Sequence, residues 1–147
     1  MNQDFVRVAC GTPNIQLGDP RWNKAEILKQ VQAMEETGVE VAVFPELSLT
    51  GYTLGDVVTD RLLLQSAEEQ LEEIIADTAD STMLVALGLP IRINGAVYNA
   101  VAVFGSGKLY SLIPKINFRR GEVYNQDRSF AASYKEGMVS FAGQDEV

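Results

Sequence analysis

The order of the apolar segments constrains the fold of this chain more than any other feature of its sequence. Residues 5–10 have the composition of a short strand, and a loop with several glycines and prolines follows. A helix is predicted next, with Asn23 and Glu26 at the spacing of a capping box and Gly38 at its end. Residues 39–44 form a second strand. This order, with short connections, predicts a parallel pair of strands joined by a right-handed crossover.

The rest of the pattern predicts one more helix and an antiparallel meander. Residues 56–80 have helical spacing, and Ser66 and Glu69 offer a second capping box. Three strands are predicted after it, over residues 83–91, 97–104 and 108–114. The Asn94-Gly95 dipeptide between the first two is a strong hairpin signal. Together with the parallel pair, the meander predicts a mixed sheet with helices on one face.

The other face of this sheet also needs a cover, because the strands are apolar on both sides. A second copy of the chain is the expected cover, so self-association into a homo-oligomer is predicted. The residues expected to approach the partner are Val85, Leu87, Val101 or Val103.

Histidine is absent, and Cys10 is the single cysteine among the 147 residues. Zinc fingers, histidine-based metal sites and Ser-His or Cys-His catalytic pairs are therefore excluded. Cys10 lies in an apolar strand, where we expect a buried and unreactive thiol. One domain is expected, because a chain of this length can form a real core without disulfides or metals.

Charge and hydropathy exclude two classes of partner. The 12 basic residues face 20 acidic ones, and this net charge of −8 argues against a nucleic-acid surface. Apolar runs are too short to span a bilayer, and residues 1–5 lack a signal-peptide pattern, so a cytoplasmic protein without membrane contact is expected. The acidic residues of 56–80 are predicted to form a solvated helix face, and no metal is expected.

Two charged residues directly follow prolines that end apolar strands. Glu46 comes after Pro45, and Lys115 comes after Pro114. If the two strands are neighbours, these side chains can meet at one rim of the sheet. A carboxylate and an ammonium group suit amide hydrolysis by a thiol, since one accepts the thiol proton and the other stabilises the oxyanion. An ordinary exposed ion pair, worth about 0–1 kcal/mol, is the alternative interpretation.

Several motifs resemble those of the nitrilase, or carbon-nitrogen hydrolase, superfamily. Residues 44–52 are similar to its glutamate motif, and residues 113–115 are similar to its lysine motif. Further likenesses occur, in the family's order, at residues 88–91, 97–100 and 107–110. Residues 50–56, with Arg128 and Phe130, look most like the N-terminal glutaminase domain of glutamine-dependent NAD synthetases. The likeness extends from residue 5 to about residue 130.

This resemblance implies both a fold and an activity. The fold would be a four-layer αββα sandwich, of which the chain supplies roughly the N-terminal half. Glu46 would be the general base and Lys115 the transition-state stabiliser of a Cys-Glu-Lys triad that hydrolyses glutamine to glutamate and ammonia. Tyr52 would help to wall the glutamine pocket. A separate synthetase domain, using ATP and Mg²⁺, would then amidate nicotinic acid adenine dinucleotide to NAD; this chain itself would hold no cofactor.

The sequence departs from the family in two places. The family's nucleophile follows the lysine, whereas no cysteine follows Cys10 here. Residues 1–147 are therefore interpreted as an incomplete glutaminase domain without the synthetase domain, inactive by itself. The loop after the lysine also differs, so Glu122 and Asp127 are only candidates for the family's additional pocket glutamate. Two alternatives remain open: a fragment of another amidase of the superfamily, and a short binding protein without catalysis.

Overall fold

The computed structural model describes residues 5–118 and 129–132. In this part of the chain one mixed sheet has five strands, and their order in space is their order in sequence. The strands are β1 (Val8–Cys10), β2 (Val41–Val43), β3 (Leu84–Ile93), β4 (Ala96–Gly105) and β5 (Lys108–Pro114). β1, β2 and β3 are parallel, whereas β4 is antiparallel to both β3 and β5. The predicted mixed sheet is confirmed.

Helix α1 (Pro20–Glu36) connects β1 to β2. Asp19 caps it by accepting a hydrogen bond from a backbone N–H of the first turn, and a proline begins the helix. The predicted start at Asn23 is wrong. Asn23 lies inside the helix and is fully buried, with its side-chain amide donating to the backbone oxygens of Gln16 and Leu49. Its short polar side chain joins two loops, which local capping patterns cannot reveal.

Helix α2 (Arg61–Asp77) follows a 3-10 helix at Gly55–Thr59. Asp60, in an extended conformation, separates the two and caps α2 by accepting hydrogen bonds from two backbone N–H groups. The predicted continuous helix over residues 56–80 is therefore interrupted. Ser66 lies in the interior of α2 and caps nothing there, because Asp60 has already satisfied the first free N–H groups.

The two hairpins agree with the sequence. Asn94 and Gly95 have φ values of 50° and 83°, as a two-residue turn between antiparallel strands requires. The second turn, at Ser106 and Gly107, has φ values of 50° and 72°. The predicted bounds of β5 match the structure.

Both helices pack against one face of the sheet. The buried cluster on this face contains Ile27, Val31, Leu71, Ile74, Val85, Leu87, Ala102 and Phe104. Val85 and Leu87 were predicted to meet a partner, and this is wrong, because they alternate toward the helices and are 1% and 0% exposed. Neither helix in the described part of the chain is both long and apolar enough to cross a lipid bilayer.

The opposite face of the sheet is open. Val43 and Ile113 are 45% and 53% exposed, and Val101 and Val103 are half-buried. Cys10, paired with Val43 in the sheet, is exposed as well. The predicted burial of this thiol is therefore wrong. Successive side chains of a strand point to opposite faces of the sheet. In β1, Ala9 points toward the helices and Cys10 therefore points toward the open face.

Candidate active site

The chain leaves β2 through a loop that passes over β3. The N–H of Phe44 continues the parallel ladder by donating to the oxygen of Ala86 at 2.8 Å. The N–H of Leu49 resumes it, donating to the oxygen of Gly88 at 3.2 Å. The intervening residues 45–48 therefore bulge out of the sheet. This bulge carries Glu46 away from β2 and toward β4 and β5.

Gly88 makes room for this bulge. A Cβ on Gly88 would lie 2.5 Å from the backbone nitrogen of Leu47, 2.6 Å from the oxygen of Pro45 and 2.9 Å from the Cα of Glu46. All three are backbone atoms, which cannot rotate away as a side chain would. The loop can therefore lie this close to the middle of β3 only because residue 88 has no side chain.

The loop has a strained residue at its centre. Leu47 has a φ of 54°, in the left-handed region that non-glycine residues occupy at a cost of roughly 1–2 kcal/mol. Its oxygen accepts the N–H of Gly51 at 2.7 Å, and its side chain is 2% exposed. That side chain packs in a second buried cluster with Leu64 and Phe130, among others. Burial in this cluster stabilises the strained turn that precedes Tyr52.

Glu46 and Lys115, the two predicted catalytic residues, are in contact. The Nζ of Lys115 lies 3.0 Å from Oε1 of Glu46. The side-chain amide nitrogen of Asn99 donates to the same oxygen. The N–H of Lys115 in turn donates to the backbone oxygen of Asn99 at 2.7 Å. A carboxylate oxygen, an ammonium group and a buried amide thus meet near the start of β4.

The predicted contact was conditional on β2 and β5 being neighbours, and this condition is not met. β3 and β4 lie between them in the sheet. Contact occurs because the loop carrying Glu46 crosses β3 at Gly88, whereas Lys115 directly follows β5 beside Asn99. The position of the site is therefore set by the bulge rather than by adjacency of strands.

The ion pair lies at a half-exposed position. The side chains of Lys115 and Glu46 are 32% and 37% exposed. The Lys115 ammonium also lies 5.7 Å from the centre of the Phe118 ring. An exposed pair of this kind contributes only about 0–1 kcal/mol to stability. The pair therefore adds little to the stability of the fold.

A cavity of about 390 Å³ opens beside Glu46. Its walls are the loop after β1, including Thr12 and Ile15, and the loop after β2, including Ser48 and Tyr52. The predicted pocket residue Tyr52 therefore lines the same cavity as the predicted base. This volume is within the usual range for small-molecule pockets.

Cys10 is remote from this constellation. It lies on β1, three strand spacings or roughly 14 Å from β4, where Asn99 is located. Among residues 5–118 and 129–132, acidic and sulfur-containing side chains form no group of three or more that could hold a metal ion. The candidate residues Glu122 and Asp127, together with Arg128, lie outside the described residues.

Sequence reasoning assigned no role in the site to Gly88 or Asn99. An isolated glycine inside an apolar strand is a known sign of close backbone approach. Gly88 could therefore have been predicted to contact another segment of backbone. Asn99 was interpreted as a buried amide with structural hydrogen bonds. Its partners, Glu46 and Lys115, are 53 and 16 positions away, and no local pattern specifies them.

Most of the chain is similar to known proteins. The carbon-nitrogen hydrolase family matches residues 7–136. The glutamine-dependent NAD(+) synthetase of Mycobacterium leprae is 36% identical over 114 residues, which are 78% of this chain and 17% of that protein. The chain thus spans less than a fifth of the length of this relative.

Solved structures show the same architecture. A crystal structure of a glutamine-dependent NAD(+) synthetase from Cytophaga hutchinsonii superposes with a TM-score of 0.85 at 26% identity, over 96% of this chain and 24% of that one. An amidase variant from Nesterenkonia sp. AN1, in complex with butyramide, has a TM-score of 0.73 at 16% identity, over 95% of this chain and 53% of that one. The expected nitrilase-like α/β fold is confirmed.

Proposed function

The chain belongs to the carbon-nitrogen hydrolase family, and from this we propose that it is part of the glutaminase domain of a glutamine-dependent NAD synthetase. The relatives with this name support the choice of glutamine among amide substrates. The observation that carries the proposal is the 3.0 Å contact between Lys115 and Glu46 beside an open cavity.

The reaction assigns a different task to each charged group. A cysteine thiol gives its proton to the Glu46 carboxylate while its sulfur bonds to the amide carbon of glutamine. The Lys115 ammonium stabilises the negative charge that forms on the amide oxygen. Glu46 then returns the proton to the leaving nitrogen, the C–N bond breaks, and ammonia departs. Water, deprotonated by Glu46, then adds to the thioester carbon. The C–S bond breaks, Glu46 returns the proton to the sulfur, and glutamate is released.

The thiol in this scheme is not Cys10, which lies on β1, three strands away from Asn99 on β4. The 147 residues alone are therefore proposed to supply the base, the cation and one wall of the pocket without hydrolysing glutamine. Tyr52 is assigned to that wall because it lines the cavity next to Glu46.

The fate of the ammonia is also part of the proposal. In the whole protein, a synthetase domain would use ATP and Mg²⁺ to activate nicotinic acid adenine dinucleotide, and ammonia would convert it to NAD. A cytoplasmic location suits this chemistry, since its substrates are soluble metabolites. Residues 1–147 would contribute only to the ammonia-producing half of the reaction.

A glutaminase assay on the polypeptide encoded by the complete reading frame tests the proposal. Glu46→Gln and Lys115→Met are each expected to lower ammonia release from glutamine by at least about 100-fold. Glu69→Gln, an exposed charge on α2, is the matched control and should leave the rate unchanged. Full activity of Glu46→Gln, or hydrolysis of simple amides in preference to glutamine, would contradict the assignment.

The isolated 147-residue chain gives a second test. It should release no ammonia from glutamine above the buffer rate. Ammonia release that Glu46→Ala abolishes would show that the chain is catalytically complete, contrary to the proposal.

A further inference from the structure

Asn99 is hydrogen-bonded to both charged residues of the site. Its side-chain amide donates to Oε1 of Glu46, and its backbone oxygen accepts the N–H of Lys115 at 2.7 Å. We propose that Asn99 is the positioning residue of this site, fixing the orientation of the Glu46 carboxylate and the start of the segment that carries Lys115. The inference rests on the proposed function, because positioning matters only if these two groups act on a substrate.

The location of Asn99 suits this role. It is 2% exposed and lies in β4, which is hydrogen-bonded on both sides. Glu46, by contrast, lies on a loop, and Lys115 lies just past the end of a strand. A strand paired on both sides thus provides the fixed point, and the two charged side chains outside the strands are oriented from it.

The burial of this amide supports the same conclusion. An asparagine in the interior requires hydrogen-bond partners, and an apolar residue of similar size would fill the space without that requirement. The neighbouring positions on the same face of β4, Val101 and Val103, are apolar. A polar residue at position 99 is therefore not required by the sheet itself. The hydrogen bond that it donates to the Glu46 carboxylate gives a reason for a polar residue at position 99.

The hydrogen bond from Asn99 also favours one charge state of Glu46. A hydrogen bond donated to a carboxylate favours the ionised form, which is the form that accepts a thiol proton. An Asn donor contributes this without adding a second cation that would compete with Lys115 for the carboxylate. In this proposal the same hydrogen bond favours both the orientation and the ionised form of Glu46.

The test follows the titration of the Glu46 carboxyl carbon by NMR in the 147-residue chain. Asn99→Leu keeps a similar volume and removes the donor, and it is expected to raise the pKa of Glu46. Asn99→Ser is a smaller change that keeps a polar group and should shift the pKa less. Thr78→Val is the matched control, because it also removes a buried hydrogen bond but lies at the end of α2.

A measurement on the wild-type side chain makes the test independent of how well the Leu variant folds. The side-chain amide protons of Asn99 should shift with pH along the titration curve of Glu46. This pH-dependent shift should disappear in Glu46→Gln. The substitution is on a loop, at a side chain that is 37% exposed, so the sheet should keep its structure. The proposal would be overturned if the Asn99 amide protons did not shift as Glu46 titrates. It would also be overturned if Thr78→Val changed the pKa of Glu46 as much as Asn99→Leu does.

Neither measurement requires turnover of glutamine. The positioning role of Asn99 and the proposed function can therefore be refuted independently. A normal response of Glu46 to Asn99 together with no glutaminase activity in the whole polypeptide would refute the proposed function alone. Glutaminase activity with a Glu46 titration insensitive to Asn99→Leu would refute the positioning role alone.

Discussion

The Nζ of Lys115 lies 3.0 Å from Oε1 of Glu46, although two strands separate the strands that precede these residues. A loop that leaves the sheet and crosses Gly88 accounts for the contact. The geometry of the site therefore depends on a position that carries no functional group. This dependence can be tested directly.

Gly88→Ala should disturb both the fold and the site. Its Cβ would collide with three backbone atoms of the loop, so we expect a loss of about 1–3 kcal/mol in unfolding free energy. The Lys115 ammonium signal in NMR should also move as Glu46 is displaced. Gly95→Ala is the control, because a Cβ there meets nothing within 4 Å and only the turn conformation is strained. A Gly88→Ala variant as stable as wild type would contradict this account.

Removing either charge of the site should have little effect on stability. Glu46→Gln and Lys115→Met are each expected to change the unfolding free energy by less than about 1 kcal/mol, since both side chains are about one-third exposed. Chemical denaturation of the two variants and of Glu69→Gln measures this. A loss of several kcal/mol for either site variant would show that the pair serves the fold.

Much of the fold could be predicted because turns and apolar strands are local signals. The hairpin at Asn94-Gly95 and the bounds of β5 required no information from distant residues. The helix starts were placed wrongly because Asp19 and Asp60, which cap the helices, compete with serine and asparagine residues at equally suitable spacing.

The site was only partly predictable for a different reason. Glu46 and Lys115 were identified from the chemistry of residues that follow strand-ending prolines and from resemblance. The bulge, the clearance at Gly88 and the bond from Asn99 depend on contacts between residues far apart in sequence. The exposure of Cys10 was missed because one-residue alternation in a three-residue strand determines which face it takes.

Glu68 on α2 should make the protein slightly less stable at neutral pH than in mild acid. Burial, the main cause, and the nearby Glu72 raise its pKa above 4.5, while Arg92 opposes the shift. A raised carboxyl pKa contributes stability below 4.5 that is lost as the pH rises through the folded-state value. Glu68→Gln should therefore be the more stable protein at neutral pH and not at acidic pH. Thermal unfolding against pH measures this, with Glu69→Gln as control.

Glu73 should have the opposite pH dependence. Its hydrogen bond and ion pair with Lys24, which link α2 to α1, lower its pKa below 4.5. Stability from a lowered pKa is present above 4.5 and is lost as the pH falls through the folded-state value. Glu73→Gln should reduce the melting temperature at neutral pH but not in strong acid, and salt should weaken the difference. Equal effects at both pH values would contradict this origin.

Self-association through the open sheet face stays a prediction. Val43 and Ile113 present exposed apolar surface there, with Val101 and Val103 half-buried beside them. Light scattering after size-exclusion chromatography should give a mass above 16.1 kDa that falls toward the monomer value in Val43→Thr and Ile113→Thr. A monomer at all concentrations would contradict the expectation.

Glu46 and Lys115 are 69 positions apart in the sequence, and their contact joins the crossover unit to the meander. The crossover unit that carries the carboxylate can assemble before the meander that carries the amine has docked. Until β5 is in place beside β4, Lys115 does not lie next to Glu46. The carboxylate–ammonium pair therefore exists only once all five strands of the described sheet have formed.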